Sequence, residues 1–439
     1  MPTEDAVKVQ LIKLKNETPR RRKLQMFYYL KPVIGEDEIK TSNYLQAEFD
    51  RNSNSIIVNN FRNEDFKNIV FISSSEKINS YTGIKKEFLG NGGLKNPYGI
   101  QLDNLSDNLK LKESEIIAIQ IEVELEALAS KEISIILGAS KSQIECKDLA
   151  YKYCNINNCI QEEEEVKKYW NKLLTPIQVN TPSDSLNILL NGWTMYQTIA
   201  SRIIGRTGFY QSGGAYGFRD QLQDSMSAKY LNPKLTRNQI IMHSKHQFIE
   251  GDVEHWWHED TQRGIRTRFS DDLLWLPYVV ADYINFTNDY SILNVETNYL
   301  TGKELEPGVN ERYDIYYQSD IKESVFKHCI KAIEKSLEFG KNGLPKIGSG
   351  DWNDGLSNVG IKGEGESVWL AFFLGTVLKN FIPICEYMER NNLTTERYSE
   401  KYTKIIEQLK KSVNSNAWDG RWFKRAFMDD GNELRKLTK

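Results

Sequence analysis

The chain has 439 residues, of which 40% are hydrophobic and 27% charged, with a formal net charge of −3. That balance is the signature of a soluble globular chain of two or three domains, and the lack of a basic stripe argues against nucleic-acid binding. No run approaches the roughly 18 apolar residues of a membrane span, so none is expected.

The N-terminus, Met1-Pro2-Thr3-Glu4-Asp5, has no apolar core of a secretory signal. The cysteines are odd in number, Cys146, Cys154, Cys159, Cys329 and Cys385, and form no Cys-x-x-Cys pair. Reduced thiols and a cytoplasmic location are the expectation.

Residues 1–158 read as β. Val7–Leu14, Leu24–Leu30, Ser55–Asn59, Asn68–Ile72, Ile116–Leu125 and Ile133–Leu137 largely alternate apolar and polar residues, separated by turn-forming stretches such as Asn16–Pro19, Gly35–Asp37 and Gly90–Gly93. Short alternating strands between such turns predict an antiparallel β-sandwich.

Residues 159–180 read as a helical linker. Val166, Tyr169, Trp170, Leu173 and Leu174 fall on one helix face, with Glu162–Glu165 expected at the helix N-terminus, where the dipole favours acids. From 181 to 439 the texture is helical. Thr181-Pro182-Ser183-Asp184 predicts a helix start, followed by a long amphipathic helix through Leu186, Leu190, Trp193 and Ile204. Further helices are predicted over Ser270–Thr287, Lys322–Phe339, Ser367–Asn391 and Thr395–Trp418. Long helices joined by Gly-rich and aromatic loops predict an α/α-hairpin architecture, a toroid or a bundle.

Three loops carry groups suited to chemistry. Gly343–Gly355 sets Asp351 and Asp354 three residues apart with Trp352 between them. A carboxylic acid beside a tryptophan can be desolvated enough to act as a general acid; the plainer reading is a turn whose aspartates cap local amides. A calcium loop is disfavoured by register, because its twelfth residue would be Lys362. Thr207–Asp224 combines glycines with Gln211, Arg219, Asp220, Gln221 and Asp224, and matches no nucleotide-binding loop. Arginine suits a tetrahedral oxyanion, while Asp and Gln suit sugar hydroxyls; an Arg219–Asp220 ion pair in a polar loop is the plainer reading. The third runs from His243 and His246 through His255-Trp256-Trp257-His258 to Ser270-Asp271-Asp272. Zinc is disfavoured by the lack of His-Glu-x-x-His and of a nearby Cys, so no metal is expected. Ser270-Asp271-Asp272 reads as a helix cap.

In this order, Tyr210–Asp224, Gln247–His258 and Gly350–Gly355 resemble glycoside hydrolase family 94. Its members include cellobiose, cellodextrin and chitobiose phosphorylases and the C-terminal module of cyclic β-1,2-glucan synthases, and the resemblance is to the synthase-type module. Ser80–Gly83 and Glu87–Gly90 fit the family's sandwich region. The resemblance implies an N-terminal antiparallel β-sandwich, a helical linker and an (α/α)6 barrel. It implies inverting cleavage or formation of β-glucosidic bonds, with Asp354 as general acid and inorganic phosphate as nucleophile and co-substrate, without a cofactor. One catalytic carboxylate then suffices, since an inverting hydrolase needs a second to activate water. By the same resemblance Trp352 lines the glucosyl site, Arg219 binds phosphate or the adjoining glucosyl unit, Gln211, Asp220 and Asp224 meet sugar hydroxyls, and Asp351 is structural. The implied partners are a β-glucan oligosaccharide and phosphate or glucose 1-phosphate.

The family's barrel continues well beyond a segment like Asn416–Phe423, supplying a phosphate-binding His and acceptor residues. The chain departs from that pattern at Arg435–Lys439 and enters the sandwich part-way. It is therefore expected to be a piece of a larger enzyme, with the first part of the barrel, pairing with itself or with a C-terminal portion. Two alternatives stand beside this reading: an inactive fragment that at most binds glucan, and an inverting hydrolase using Glu250, Asp252, Glu364 or Glu366 as base.

Overall fold

The computed structural model describes residues 1–35, 38–62, 67–110, 116–205, 214–259 and 261–434. Contacts divide the chain into two compact units, Met1–Lys172 and Leu173–Lys439.

The first unit holds β1 (Val7–Lys15), β2 (Arg22–Leu30), the single-turn helix α1 (Glu38–Thr41), β3 (Leu45–Asp50), β4 (Ser55–Asn60), β5 (Ile69–Ser74), β6 (Ile78–Thr82), the short α2 (Lys85–Leu89), β7 (Ile117–Leu125) and β8 (Ser130–Ser140). The strands form two antiparallel sheets, β1-β8-β5-β4-β3 and β2-β7-β6. The expected sandwich is therefore present. Along β7, Ile117, Ile119, Ile121, Val123 and Leu125 recur every second residue, and all are buried with Ile56, Ile72, Ile133 and Ile135. Period-2 placement of branched residues makes such a core. Helix α3 (Gln143–Cys154), capped where Ser142 Oγ accepts the Glu145 N–H, buries Cys146, Ala150 and Tyr153 with Val7, Ile57, Phe71 and Ile136.

Helix α4 runs Ile156–Leu174, starting earlier than expected. The acidic run is therefore inside the helix and not at its N-terminus. Glu163 and Glu164 pair with Lys167, and Glu165 with Lys168, so one-turn spacing along the helix surface is what supports it.

In the second unit, α5 (Asp184–Ile188) begins after Ser183, whose Oγ accepts the Leu186 N–H, so the cap lies beyond Thr181-Pro182. The helical path continues through α6 (Thr194–Thr198) to residue 204 but is broken at Gly192, with φ 173° and ψ −49°. Leu186, Leu190 and Trp193, expected on a packed face, are exposed. Helices α7 (Phe218–Ala228) and α8 (Pro233–Ser244) follow β9 (Tyr216–Gly217). Next come β10 (Glu254–His258), β11 (Arg263–Thr267), α9 (Trp275–Thr287), β12 (Glu296–Thr301), β13 (Glu311–Ile315), β14 (Tyr317–Ser324), α10 (Val325–Lys335), β15 (Glu366–Ser367), α11 (Val368–Arg390), α12 (Tyr398–Ser412), β16 (Ala426–Phe427) and β17 (Glu433–Leu434).

The part expected to be helical thus carries a β13-β11-β10-β9 sheet and a β12-β14 ribbon as well. Strand β14 takes residues 322–324 out of the helix predicted from Lys322, and Ser324 caps α10 instead. Helices α7, α9 and α11 pack in series, with α8 behind α7 and α9, and α12 along α11. Leu274, Val280, Phe326, Ile333, Leu374 and Phe381 are buried in this core. Helix α11 is long and apolar enough to cross a membrane, yet Leu370, Leu374, Leu378 and Phe381 on it are buried.

Candidate active site at the N-termini of three helices

Three segments bring the chemistry together: the first turn of α7, the turn before α9, and the loop before α11. Strand β9 pairs with β10 through Tyr216↔Trp257 and Gly217↔Trp256, which fixes the entry into α7. Arg219 follows two residues later and is 7% exposed. A cation at a helix N-terminus opposes the dipole, so carboxylates must hold it there. Its Nη1 lies 3.4 Å from both oxygens of Asp271 and 4.0 Å from Asp272 Oδ1. Its Nη2 donates to Asp354 Oδ1 at 3.0 Å and Oδ2 at 3.1 Å.

The loop carrying Asp354 is tied down before it reaches the site. Gly348 has φ +61°, and a Cβ there would sit 2.0 Å from the Arg268 carbonyl oxygen, so only glycine fits the turn. Ser270 donates N–H and Oγ–H to the Gly350 carbonyl, at 3.0 and 3.1 Å. Asp351, fully buried, accepts from Arg425 Nη2 at 2.5 Å and Nη1 at 2.7 Å, from Ser367 Oγ at 2.6 Å and from the Asn353 N–H at 3.1 Å. These bonds make Asp351 the anchor of the loop and leave Asp354 at its tip, where the side chain is 52% exposed.

Of the residues expected at the site, Arg219, Trp352 and Asp354 come together. The Trp352 ring centroid is 5.9 Å from Arg219 Cζ, and the Trp352 carbonyl accepts from Nη1 at 3.4 Å. Trp352 is itself 53% exposed. The ring therefore does not bury Asp354, and the desolvation expected from their adjacency is not provided. Asp220 is half-exposed with Oδ1 3.8 Å from Arg219 Nε. Asp224 turns elsewhere, accepting from Arg202 Nε at 2.6 Å. Gln211 lies outside the described residues.

Asp271, Asp272 and His255 were not expected at the site. The Asp271 side chain makes no capping bond; besides Arg219 it accepts from Trp275 Nε1 at 3.1 Å. Burial, then the neighbouring Asp272, push its pKa well above the usual carboxylate range, against the pull of Arg219. A β-bulge between Glu254 and Trp256 turns His255 so that its Nδ1 lies 2.7 Å from Asp272 Oδ2, with the ring stacked on Phe269 at 4.6 Å. Burial lowers the affinity of His255 for a proton, and Asp272 and Asp354 more than reverse that, so its pKa is raised. The doubled acid before an apolar run was the available signal, but a cap has the same pattern.

The other histidines are engaged separately. His243 is buried, with Nδ1 2.7 Å from the Gln239 carbonyl, and His246 Nδ1 lies 2.6 Å from Glu254. Among the described residues no group of three His, Cys, Asp or Glu is arranged to hold a metal. Each of the four alternative base carboxylates has a partner, although Glu364 remains half-exposed. Glu250 and Asp252 hold Arg266 at 2.9 and 2.6 Å, Glu364 meets Lys346, and Glu366 accepts the Asn342 and Leu344 N–H groups. A cavity of about 660 Å³ opens between His246, Glu254, Trp257 and Tyr316, and neither Arg219 nor Asp354 lines it.

Residues 169–437 match the model of the glycosyl hydrolase 94 superfamily catalytic domain, and residues 1–156 that of the glycosyl hydrolase 94 supersandwich domain. The chain is 32% identical over 434 residues to the cyclic beta-(1,2)-glucan synthase NdvB of Rhizobium meliloti, covering 97% of this chain and 15% of that protein. It is 25% identical over 443 residues to the solabiose phosphorylase of Paenibacillus borealis, covering 99% of this chain and 53% of that one. A structure titled as a putative kojibiose phosphorylase from human microbiome shares the fold, with a TM-score of 0.50 and 11% identity over 96% of this chain and 53% of that one. The chain thus spans about half the length of the phosphorylase relative and a smaller part of the synthase.

Proposed function

We propose that this chain, which belongs to the glycosyl hydrolase 94 superfamily, is the acid-bearing part of a phosphorylase-type module that cleaves or forms β-glucosidic bonds in β-glucans with inversion. One observation carries the reading. Asp354 is a half-exposed carboxylate that takes both hydrogen bonds of one Arg219 nitrogen, on a buried guanidinium that also faces the buried Asp271 and Asp272. Exposure lets it meet a substrate; the guanidinium beside it suits an oxyanion.

In the proposed reaction Asp354 gives its proton to the departing glycosidic oxygen as the bond from that oxygen to the anomeric carbon breaks. A phosphate oxygen attacks the opposite face, forming glucose 1-phosphate with inverted configuration. Phosphate is already an anion, so no second carboxylate is required to generate a nucleophile. Arg219 orients the phosphate, Trp352 lines the glucosyl site, and Asp220 meets sugar hydroxyls. Both Asp354 oxygens are on Arg219 Nη2, so the working geometry requires this guanidinium to shift toward the anion. We assign residues 1–158 to the sandwich, 159–180 to the linker and 181–439 to the catalytic part. The free thiols of all five cysteines suit a cytoplasmic setting.

The test is glucose 1-phosphate release from β-1,2- and β-1,4-glucooligosaccharides, with and without phosphate. Phosphate-dependent release that falls by roughly 10²–10⁴ in Asp354→Asn is expected. Release undiminished in that variant removes the acid assignment. Phosphate-independent sugar release favours a hydrolase, and a folded chain giving no product favours a glucan-binding piece without turnover.

A further inference from the structure

We infer that His255, oriented by Asp272, is the second cationic contact of an oxyanion seat that it forms with Arg219, a seat that Asp354 occupies in this structure. The inference rests on the reading of Arg219 as the anion-binding arginine.

Charge arithmetic motivates it. Arg219 faces four carboxylates, those of Asp220, Asp271, Asp272 and Asp354. A phosphate approaching one guanidinium already set against four acids meets net repulsion, which another cation facing the same space lessens. Among the described residues, the cationic groups bonded into this acid set are Arg219 and His255. Asp272 lies between them, with Oδ2 on His255 Nδ1 at 2.7 Å and Oδ1 at 4.0 Å from Arg219 Nη1. The two cations therefore share one carboxylate, one on each of its oxygens.

The ring is built to present its other nitrogen. Nδ1 is taken by a carboxylate that is 1% exposed, Phe269 stacks on the ring, and the bulge at Glu254/Trp256 sets its direction. Nε2 then has no hydrogen-bond partner among the described residues. A carboxylate behind Nδ1 holds a proton there and favours the charged ring, in which Nε2 also donates. Asp272 Oδ1, buried and without a hydrogen-bond partner among the described residues, lies 4.0 Å from Arg219 Nη1 and offers it a seat when the anion displaces Asp354 from Nη2. The groups facing His255 are thus Asp272, Asp354 and Arg219.

The probe is sulfate, whose charge does not change near neutral pH, titrated calorimetrically into the full chain at one fixed pH near 6. Wild type is expected to bind, with the ¹⁵N resonance of His255 Nε2 moving on titration. His255→Gln is expected to weaken binding about tenfold, the loss of one charge-assisted bond, and Asp354→Asn to tighten it severalfold by removing the competing carboxylate. Thermal unfolding establishes that each variant is folded. If sulfate leaves the His255 resonance unmoved in wild type, or a folded His255→Gln binds as wild type, the inference is overturned. Binding lost in Arg219→Lys but intact in His255→Gln keeps the arginine reading and ends this one. Sulfate binding through His255 in a chain that releases no glucose 1-phosphate keeps this inference and ends the catalytic one.

Discussion

The two units bury polar groups in opposite ways. Among the described residues of the sandwich unit, those buried are neutral: Asn16, Gln120, Thr41, Thr82 and serines such as Ser55, Ser73 and Ser134. In the helical unit, Arg219, Lys229, Glu254, Arg266, Asp271, Asp272, Asp351 and Glu366 are all buried. A buried hydroxyl needs only one local partner; Ser134 Oγ, for example, donates to the Tyr153 carbonyl at 2.9 Å. A buried charge costs several kcal/mol in desolvation and survives only with a partner. The sandwich is therefore a scaffold of branched apolar residues with its ions outside, such as Lys13–Glu132 at 3.1 Å. The helical unit accepts that cost, and one of its buried groups, Arg219 with Asp271 and Asp272, meets the half-exposed Asp354.

The contrast can be broken by experiment. Arg219→Met strands Asp271 without its cation and leaves Asp272 with His255 alone. It should destabilise the helical unit by about 3 kcal/mol, and adding Asp271→Asn should restore part of the loss. Urea unfolding followed by tryptophan fluorescence is the measurement, since eight of the nine tryptophans, all but Trp170, lie in 173–439. A loss below about 1 kcal/mol would mean that these acids are not held as charges.

The second prediction concerns acid. All five histidines fall in the helical unit. His328 is fully buried with Nδ1 2.8 Å from Gln247 Oε1, and burial lowers its pKa from 6.5 to about 4. A folded pKa below the unfolded one means the unfolded chain takes the proton first. The contribution is complete above pH 6.5 and is lost as pH falls toward about 4. The stability advantage of wild type over His328→Gln should therefore shrink by about 1.4 kcal/mol per pH unit across that window. A gap independent of pH would show that His328 is not kept neutral by the fold.

The smallest effect sharpens the comparison from the other side. Lys13→Ala on the sandwich removes an ion pair in which the lysine side chain is 69% exposed. Less than about 0.5 kcal/mol should be lost, with no change in sulfate affinity. A larger loss would mean that the surface ions of the sandwich carry structure after all.

Much of this architecture is written in local pattern. Strand β7 could be read from its period-2 isoleucines, and α9, α11 and α12 from helical spacing, because side-chain direction follows directly from backbone periodicity. The loop with Asp351 and Asp354 stood out through its glycines and its paired acids. Other readings went astray where two structures share one local pattern. Ser270-Asp271-Asp272 has the form of a cap, yet its aspartates belong to Arg219 and His255. Asp224 lies one turn beyond Asp220 in the same helix but pairs with Arg202. Strands β10 and β11, Glu-His-Trp-Trp-His and Arg-Gly-Ile-Arg-Thr, carry no clean alternation to mark them.

By itself, then, the sequence determined the sandwich and the principal helices of the second unit and marked the loop with its paired aspartates, since each follows from neighbours along the chain. Only the tertiary structure decided which carboxylates share Arg219, which bonds hold Asp351, and that a bulge turns His255 toward Asp272. Those choices depend on how the N-termini of α7, α9 and α11 converge. Charge interacts across that space with whatever the fold brings near, regardless of separation in sequence.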